Sequence, residues 1–171
     1  MRRCLLYIFL LLSFSAYSQS YKKSYVMNVT PEGNLYFIYD LKMKSQSDDV
    51  KSLEFDYTFV ESRDYVTLMA TCISKNAVNI DSLSIILPTG CKYADAVDRI
   101  YTDRKSHWHT RFRCNIDYDF WMNMYSSDAS FELVLHNKNR TQIKYEDSKK
   151  GWKKNQKKMQ YIQEMISANK E

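Results

Sequence analysis

Strict alternation of apolar and polar residues is the sequence feature that most constrains this fold. In residues 53–59 every second position is a large apolar residue, from Leu53 to Phe59, and polar residues lie between them. Successive side chains of a β-strand point to opposite faces, so this pattern predicts a strand with one buried and one solvated face. Residues 65–73 alternate in the same way after a short polar turn, which predicts a β-hairpin.

The clearest single strand covers residues 107–116. Its predicted buried face carries Trp108, Thr110, Phe112, Cys114 and Ile116, and its predicted solvated face carries His107, His109, Arg111, Arg113 and Asn115. Shorter runs at 34–43, 83–87, 131–135 and 141–145 predict further strands. About seven strands in one chain indicate a mainly β fold, either an antiparallel β-sandwich or an open barrel, and we favour the sandwich.

The pattern changes to helical spacing near the C-terminus. We predict an amphipathic α-helix from about residue 149 to 168, capped by Ser148, that docks on the sheet. Its apolar positions are Trp152, Met159, Ile162 and Ile166. Together with Trp152, Trp108 and Trp121 are predicted to be large anchors in the core.

The first eighteen residues predict export. Arg2 and Arg3 precede an apolar run at 4–12, and the small residues Ala16 and Ser18 precede Gln19. These are the parts of a secretory signal peptide, and the run is shorter than the roughly 20 residues that span a bilayer. We therefore expect residues 19–171 to form a single β-rich domain, exported to the periplasm or the cell exterior and without a transmembrane segment.

Charge excludes a dedicated nucleic-acid binder. The full chain has a net charge of +5, and removing Arg2 and Arg3 leaves +3, which is a small excess. The start of the C-terminal helix is nevertheless rich in lysine, at positions 149, 150, 153, 154, 157 and 158. Contact with an anionic membrane surface is one interpretation. We favour a solvated face, because the apolar side of the helix is needed to cover the sheet.

Cysteine usage leaves two alternatives open. Cleavage removes Cys4, so Cys72, Cys91 and Cys114 remain in an oxidising compartment. The alternation places Cys72 and Cys114 on inward faces, where they could form a disulfide or remain as two buried thiols. A bond between Cys72 and Cys91 is less favoured.

His107 and His109 are the sharpest candidates for a site. They lie two residues apart on one strand face, a spacing that can hold a metal ion, and His136 is the only other histidine that could act as a third ligand. The neighbouring Arg111 and Arg113 would repel a cation, so we predict neither a metal nor a cofactor. The same four side chains could instead bind an anion such as a sulfate, a phosphate or a uronic acid.

The sequence lacks the usual catalytic patterns. It contains no glycine-rich phosphate loop, no G-x-S-x-G and no H-E-x-x-H, and Cys114 falls on the strand face opposite the histidines. Tyr36, Tyr65 and Tyr101 could stack against sugar rings. We therefore predict a non-catalytic binding module of the cell envelope with a protein or a glycan as its partner. The alternative is a small metal-dependent or acid/base hydrolase that uses the His107/His109 face.

Two parts of the chain resemble a known group of proteins. One is the leader ending Ala16-Tyr17-Ser18-Gln19. The other is the last third, with Arg111-Phe112-Arg113, Asp119-Phe120, the runs 131–135 and 143–145, and Trp152. Together they resemble small uncharacterised secreted β-sandwich proteins of Bacteroidota. The resemblance implies an architecture and a compartment, and it transfers no site residues.

Overall fold

The computed structural model describes residues 22–137 and 142–170. Within them a short 3-10 helix (Lys22–Ser24) leads into ten strands and two α-helices. The strands are β1 (Tyr25–Thr30), β2 (Gly33–Ser45), β3 (Val50–Val60), β4 (Tyr65–Ser74), β5 (Ser82–Ile86), β6 (Lys92–Ala96), β7 (Asp98–Arg104), β8 (Trp108–Asp117), β9 (Glu132–His136) and β10 (Gln142–Glu146). The helices are α1 (Tyr118–Asn123) and α2 (Lys149–Lys170). The predicted signal peptide, residues 1–18, lies outside the described residues.

All ten strands belong to one antiparallel sheet, so the predicted mainly β, antiparallel architecture is confirmed. The strand order is β6-β5-β9-β10-β2-β3-β4-β8-β7, and β1 pairs with the first half of β2. The sheet curls until β6 approaches β8. There the Tyr93 hydroxyl donates to the Asn115 carbonyl at 2.7 Å, and the Asn115 N–H donates to the Asp95 carboxylate at 3.3 Å. Side chains thus bridge the seam of a nearly closed barrel.

The predicted alternation is confirmed on the three central strands. Their buried side chains are Leu53, Phe55, Tyr57 and Phe59 on β3, Val66, Leu68, Ala70 and Cys72 on β4, and Thr110, Phe112, Cys114 and Ile116 on β8. The intervening residues of β3 and β8 stay partly or fully exposed. The core therefore occupies the inside of the curled sheet, as a period of two with one packed face requires.

Helix α2 covers this core with the predicted apolar positions. Trp152, Met159, Ile162 and Ile166 are buried. The Ser148 hydroxyl accepts the Gly151 N–H at 3.1 Å, which confirms the predicted cap because it satisfies a donor that the first helical turn leaves free. In the part of the chain that the structure describes, neither helix is long and apolar enough to cross a membrane.

Buried glutamines of α2 stabilise the chain around the end of α1. The side-chain amide of Gln163 donates to the Trp121 carbonyl at 2.8 Å, and that of Gln156 donates to the Ser127 carbonyl at 2.7 Å. Among the described residues, the Trp121 carbonyl otherwise accepts only the long contact from the Met124 N–H at 3.2 Å, and buried carbonyls near a helix end need hydrogen-bond partners. These two contacts explain why polar residues occur on the packed face of α2.

Tryptophan burial follows the prediction at two of three positions. Trp121 is fully buried and Trp152 nearly so, but Trp108 is only half-buried, with the Arg104 guanidinium 5.7 Å from its ring centre. Trp108 lies at the start of β8, opposite the edge strand β7, whose seven residues are all exposed. The prediction that Trp108 anchors the core is wrong because no second layer covers that end of the strand.

Candidate functional site

A polar cleft lies at the seam where the two ends of the sheet approach each other. Its volume is about 300 Å³. It is lined by Arg63, Tyr65, Thr67, Asp95, Ala96, Asp98, Arg113, Cys114 and Asn115. One wall comes from β4 and the turn before it, the floor from β8, and the other wall from β6 and β7.

Strand register brings these residues together. β4 and β8 pair with Thr67 opposite Asn115, so both side chains project from the outer face. The Thr67 hydroxyl donates to the Asn115 side-chain oxygen at 3.0 Å. Across the seam, Asp95 accepts the Asn115 N–H, which draws β6 against the free part of the β8 edge.

The charges of the cleft are arranged in pairs. Arg113 Nε lies 3.3 Å from Asp98 Oδ2, and Arg63 Nη2 lies 3.1 Å from the carboxylate of Glu32. Arg63 also lies over the Tyr65 ring, 5.6 Å from its centre, and donates to the Tyr65 hydroxyl at 3.1 Å. The cleft therefore offers donors, acceptors and an aromatic surface without a strong net charge.

The thiol on the floor is not a nucleophile at neutral pH. Cys114 is 5% exposed, and burial, helped by the negative charge of Asp95, raises its pKa to about 12. A thiol reacts as its thiolate, and burial disfavours that charged form. We assign Cys114 to packing.

The arginines of the predicted anion-binding face of β8 point to opposite sides of the strand. His109, Arg111 and Arg113 do alternate on the outer face of β8. However, Arg111 reaches across β4 to Asp56 on β3, with Nη2 and Oδ2 2.9 Å apart, whereas Arg113 turns the other way, to Asp98 on β7. The two guanidiniums thus lie in separate ion pairs on opposite sides of β8. His107 lies in the turn before β8, with Nδ1 3.3 Å from the Ser106 hydroxyl.

The metal candidates are placed on different parts of the sheet. His136 lies on β9, where Nε2 is 2.9 Å from the Ser84 hydroxyl. The β7–β8 register puts Asp103 opposite His109, so one carboxylate does approach the predicted pair. Among the described residues, no group of three or more His, Cys, Asp or Glu side chains is arranged to hold a metal ion.

Of the two alternatives left open for Cys72 and Cys114, the structure has the two buried thiols and no disulfide between them. Both thiols are free and buried, and Cys91 is free and exposed. Cys114 lies opposite Leu68, and Cys72 is four residues further along β4. Four residues of a strand span about 13 Å, beyond the roughly 7 Å between Cα atoms that a disulfide can bridge.

The three tyrosines predicted to stack against sugar rings differ in exposure. Tyr36 is fully buried, so it cannot stack on an external ligand, and that prediction is wrong. Tyr65 is partly exposed in the cleft, and Tyr101 is 46% exposed on β7. The alternation rule assigns each strand residue to a face, but it does not show which faces the helices cover.

The lysines of α2 lie opposite its packed face. Lys149, Lys150, Lys153, Lys154 and Lys157 are exposed, and Lys158 is buried. At 3.6 residues per turn the five exposed lysines fall within an arc of about 140°. None of the salt bridges found between described residues involves these five.

Sequence reasoning missed most of the cleft. Asp95 and Asp98 lie in a segment without clear apolar alternation, and the sequence gives Thr67 and Asn115 the appearance of ordinary solvated strand positions. Only strand register and the closure of the sheet bring them together, and no local signal encodes either. No family model matches this sequence, no curated protein matches it significantly, and no solved structure matches it significantly.

Proposed function

We propose that this protein is an exported, non-catalytic binding module of the bacterial cell envelope, and that the seam cleft binds a glycan. The observation that carries the proposal is the lining of the cleft: two arginines, two carboxylates, a threonine, an asparagine and a partly exposed tyrosine around about 300 Å³. Export rests on the signal-peptide pattern of residues 1–18 and on the resemblance to secreted Bacteroidota proteins.

The chemistry of the cleft suits sugar hydroxyls. Each hydroxyl both donates and accepts, so a carbohydrate needs carboxylates and amide oxygens next to guanidinium donors. The paired arrangement of Arg113 with Asp98 supplies both within one contact region. Tyr65 adds an amphipathic ring of the kind that is enriched at binding surfaces. The volume lies at the lower end of small-molecule sites, which fits a single sugar unit or a chain end.

A hydrolase on the His107/His109 face is the second candidate. One observation favours it: Asp103 lies opposite His109 in the β7–β8 register, so a carboxylate could orient that imidazole. The binding module is the better supported proposal because the cleft gathers nine residues around one space, whereas Asp103 lies on the edge strand β7, whose residues are all exposed.

The test is binding of the purified protein to an array of envelope polysaccharide fragments, followed by calorimetric titration with the best ligand. Tyr65→Ala is expected to weaken binding about tenfold, because one aromatic contact at the centre of a site is worth more than about 1 kcal/mol. Tyr101→Ala, an exposed tyrosine outside the cleft, is the matched control and should bind normally. A wild-type protein that retains no fragment refutes the glycan, and equal binding by wild type and Tyr65→Ala refutes the cleft.

A further inference from the structure

Strand β1 presents an open sheet edge. In the described part of the chain it pairs with β2 alone, through an unbroken register from Tyr25 opposite Ile38 to Thr30 opposite Gly33. The backbone N–H and C=O groups on its other side can therefore pair with an added strand. Such an edge is a template for another chain unless it is protected.

β1 differs in protection from the edge strand β7. β7, the last strand of the order, has a register shift between Arg99 and Tyr101, and four of its seven residues are charged. Charges and bulges are the usual protection of an edge strand. β1 is regular and contains no charged residue and no proline, and it exposes Val26 (43%), Met27 (43%) and Val29 (81%). β1 is thus an apolar, unprotected edge.

The predicted mature chain has few residues outside the described part. The stretches outside the described residues that follow the predicted cleavage site are 19–21, 138–141 and residue 171. Each is shorter than the commonest strand length of about five or six residues. A second copy of this chain offers a strand of matching length, β1 itself.

We propose that two copies of this chain pair through β1, antiparallel and centred on Met27. In that register Met27 lies opposite Met27 of the second copy, Tyr25 lies opposite its Val29, and Val26 lies opposite its Asn28. Every pair joins residues of the same strand face, so each apolar face continues across the interface. A two-fold axis places each residue near it opposite the same residue of the second copy. A charged residue there would face a like charge, and β1 contains no charged residue.

The paired sheets leave the cleft accessible. β2 and β3 separate β1 from β4, which forms one wall of the cleft. A dimer would display two clefts, so a repetitive ligand would gain avidity without any new contact.

Sedimentation velocity of the purified protein in reductant tests the proposal, over about a hundredfold range of concentration because dimerisation follows mass action. Reductant prevents Cys91 from linking copies through a disulfide. Wild type is expected to be dimeric, and Met27→Lys, which places two ammonium groups opposite each other and removes apolar burial, should weaken association by at least about 100-fold. Thr102→Lys on the protected edge β7 is the matched control and should remain dimeric.

A charge-pairing experiment tests the register. Met27→Lys and Met27→Glu are each expected to be monomeric, and an equimolar mixture should recover the dimer, because opposite charges then face each other at the axis. Circular dichroism and melting curves verify that each variant is folded. A monomeric wild type, or a dimer that survives Met27→Lys in a folded protein, overturns the proposal, and a mixture that stays monomeric overturns the register centred on Met27.

Discussion

Two buried tyrosine hydroxyls provide the sharpest test of how the core is held together. Tyr57 on β3 and Tyr125, just after α1, are each 1% exposed, and their hydroxyl oxygens are 3.0 Å apart. Burial raises the pKa of both phenols, so both are neutral at physiological pH. Either oxygen can donate to the other, and this bond joins the sheet to the segment that α2 covers.

The loss of unfolding free energy in the double variant should be smaller than the sum of the losses in the two single variants. Tyr57→Phe removes one hydroxyl and leaves the other buried without this partner, which costs about 1–3 kcal/mol of unfolding free energy. Tyr125→Phe should cost a similar amount for the same reason. Replacing both removes the bond and its unpaired partner together, so we expect the double variant to lose less than the sum of the two singles by at least about 1 kcal/mol.

Urea unfolding monitored by tryptophan fluorescence measures these values, because Trp121 packs 5.8 Å from the Tyr57 ring. Tyr101→Phe, an exposed tyrosine on β7, is the control and should change stability by less than about 0.5 kcal/mol. Additive losses in the double variant would refute the reasoning, since they would mean that each hydroxyl is satisfied independently of the other.

Two further predictions concern thiols and ion pairs. Cys91 alone should react with a thiol reagent in the folded protein. Because the folded chain holds Cys114 protonated up to about pH 12, whereas the ordinary thiol pKa is 9.0, the contribution of Cys114 to stability should be constant below about pH 9 and fall as pH rises towards 12, which alkaline unfolding curves can measure. Arg111→Gln should cost about 1–2 kcal/mol, because it leaves the partly buried Asp56 carboxylate without its guanidinium. Lys42→Gln, in an exposed pair, should cost less than about 0.5 kcal/mol in the same urea assay, and equal losses would contradict the role of burial.

The accuracy of the strand predictions depended on whether a strand buries one face. β3, β4 and β8 do so, and their alternation was readable from the sequence. β1, β6 and β7 were not predicted, and ten strands are present among the described residues where about seven were expected. β7 is exposed on both faces, so its seven residues carry no apolar periodicity to detect.

Most of the cleft could not be predicted from the sequence, for a related reason. Tyr65 and Arg113 were singled out, but as members of different features, a sugar platform and a basic stripe. Their common cleft depends on Asp95, which the closure of the sheet brings to β8, and on Asp98, which the β7–β8 register places opposite Arg113. Contacts between residues far apart in the chain are decided by topology, and a local pattern does not record them.

The sequence by itself determined which residues face inward on the central strands, where α2 begins and that it packs through one face. These follow from side-chain periods of 2 and 3.6 and from the Ser148 cap, which are properties of short segments. Only the tertiary structure decided that Arg111 and Arg113 have different carboxylate partners, that Cys72 and Cys114 lie four residues out of register, and that the seam forms a cleft. Strand register and sheet closure set these distances, because they join residues that the chain itself keeps far apart.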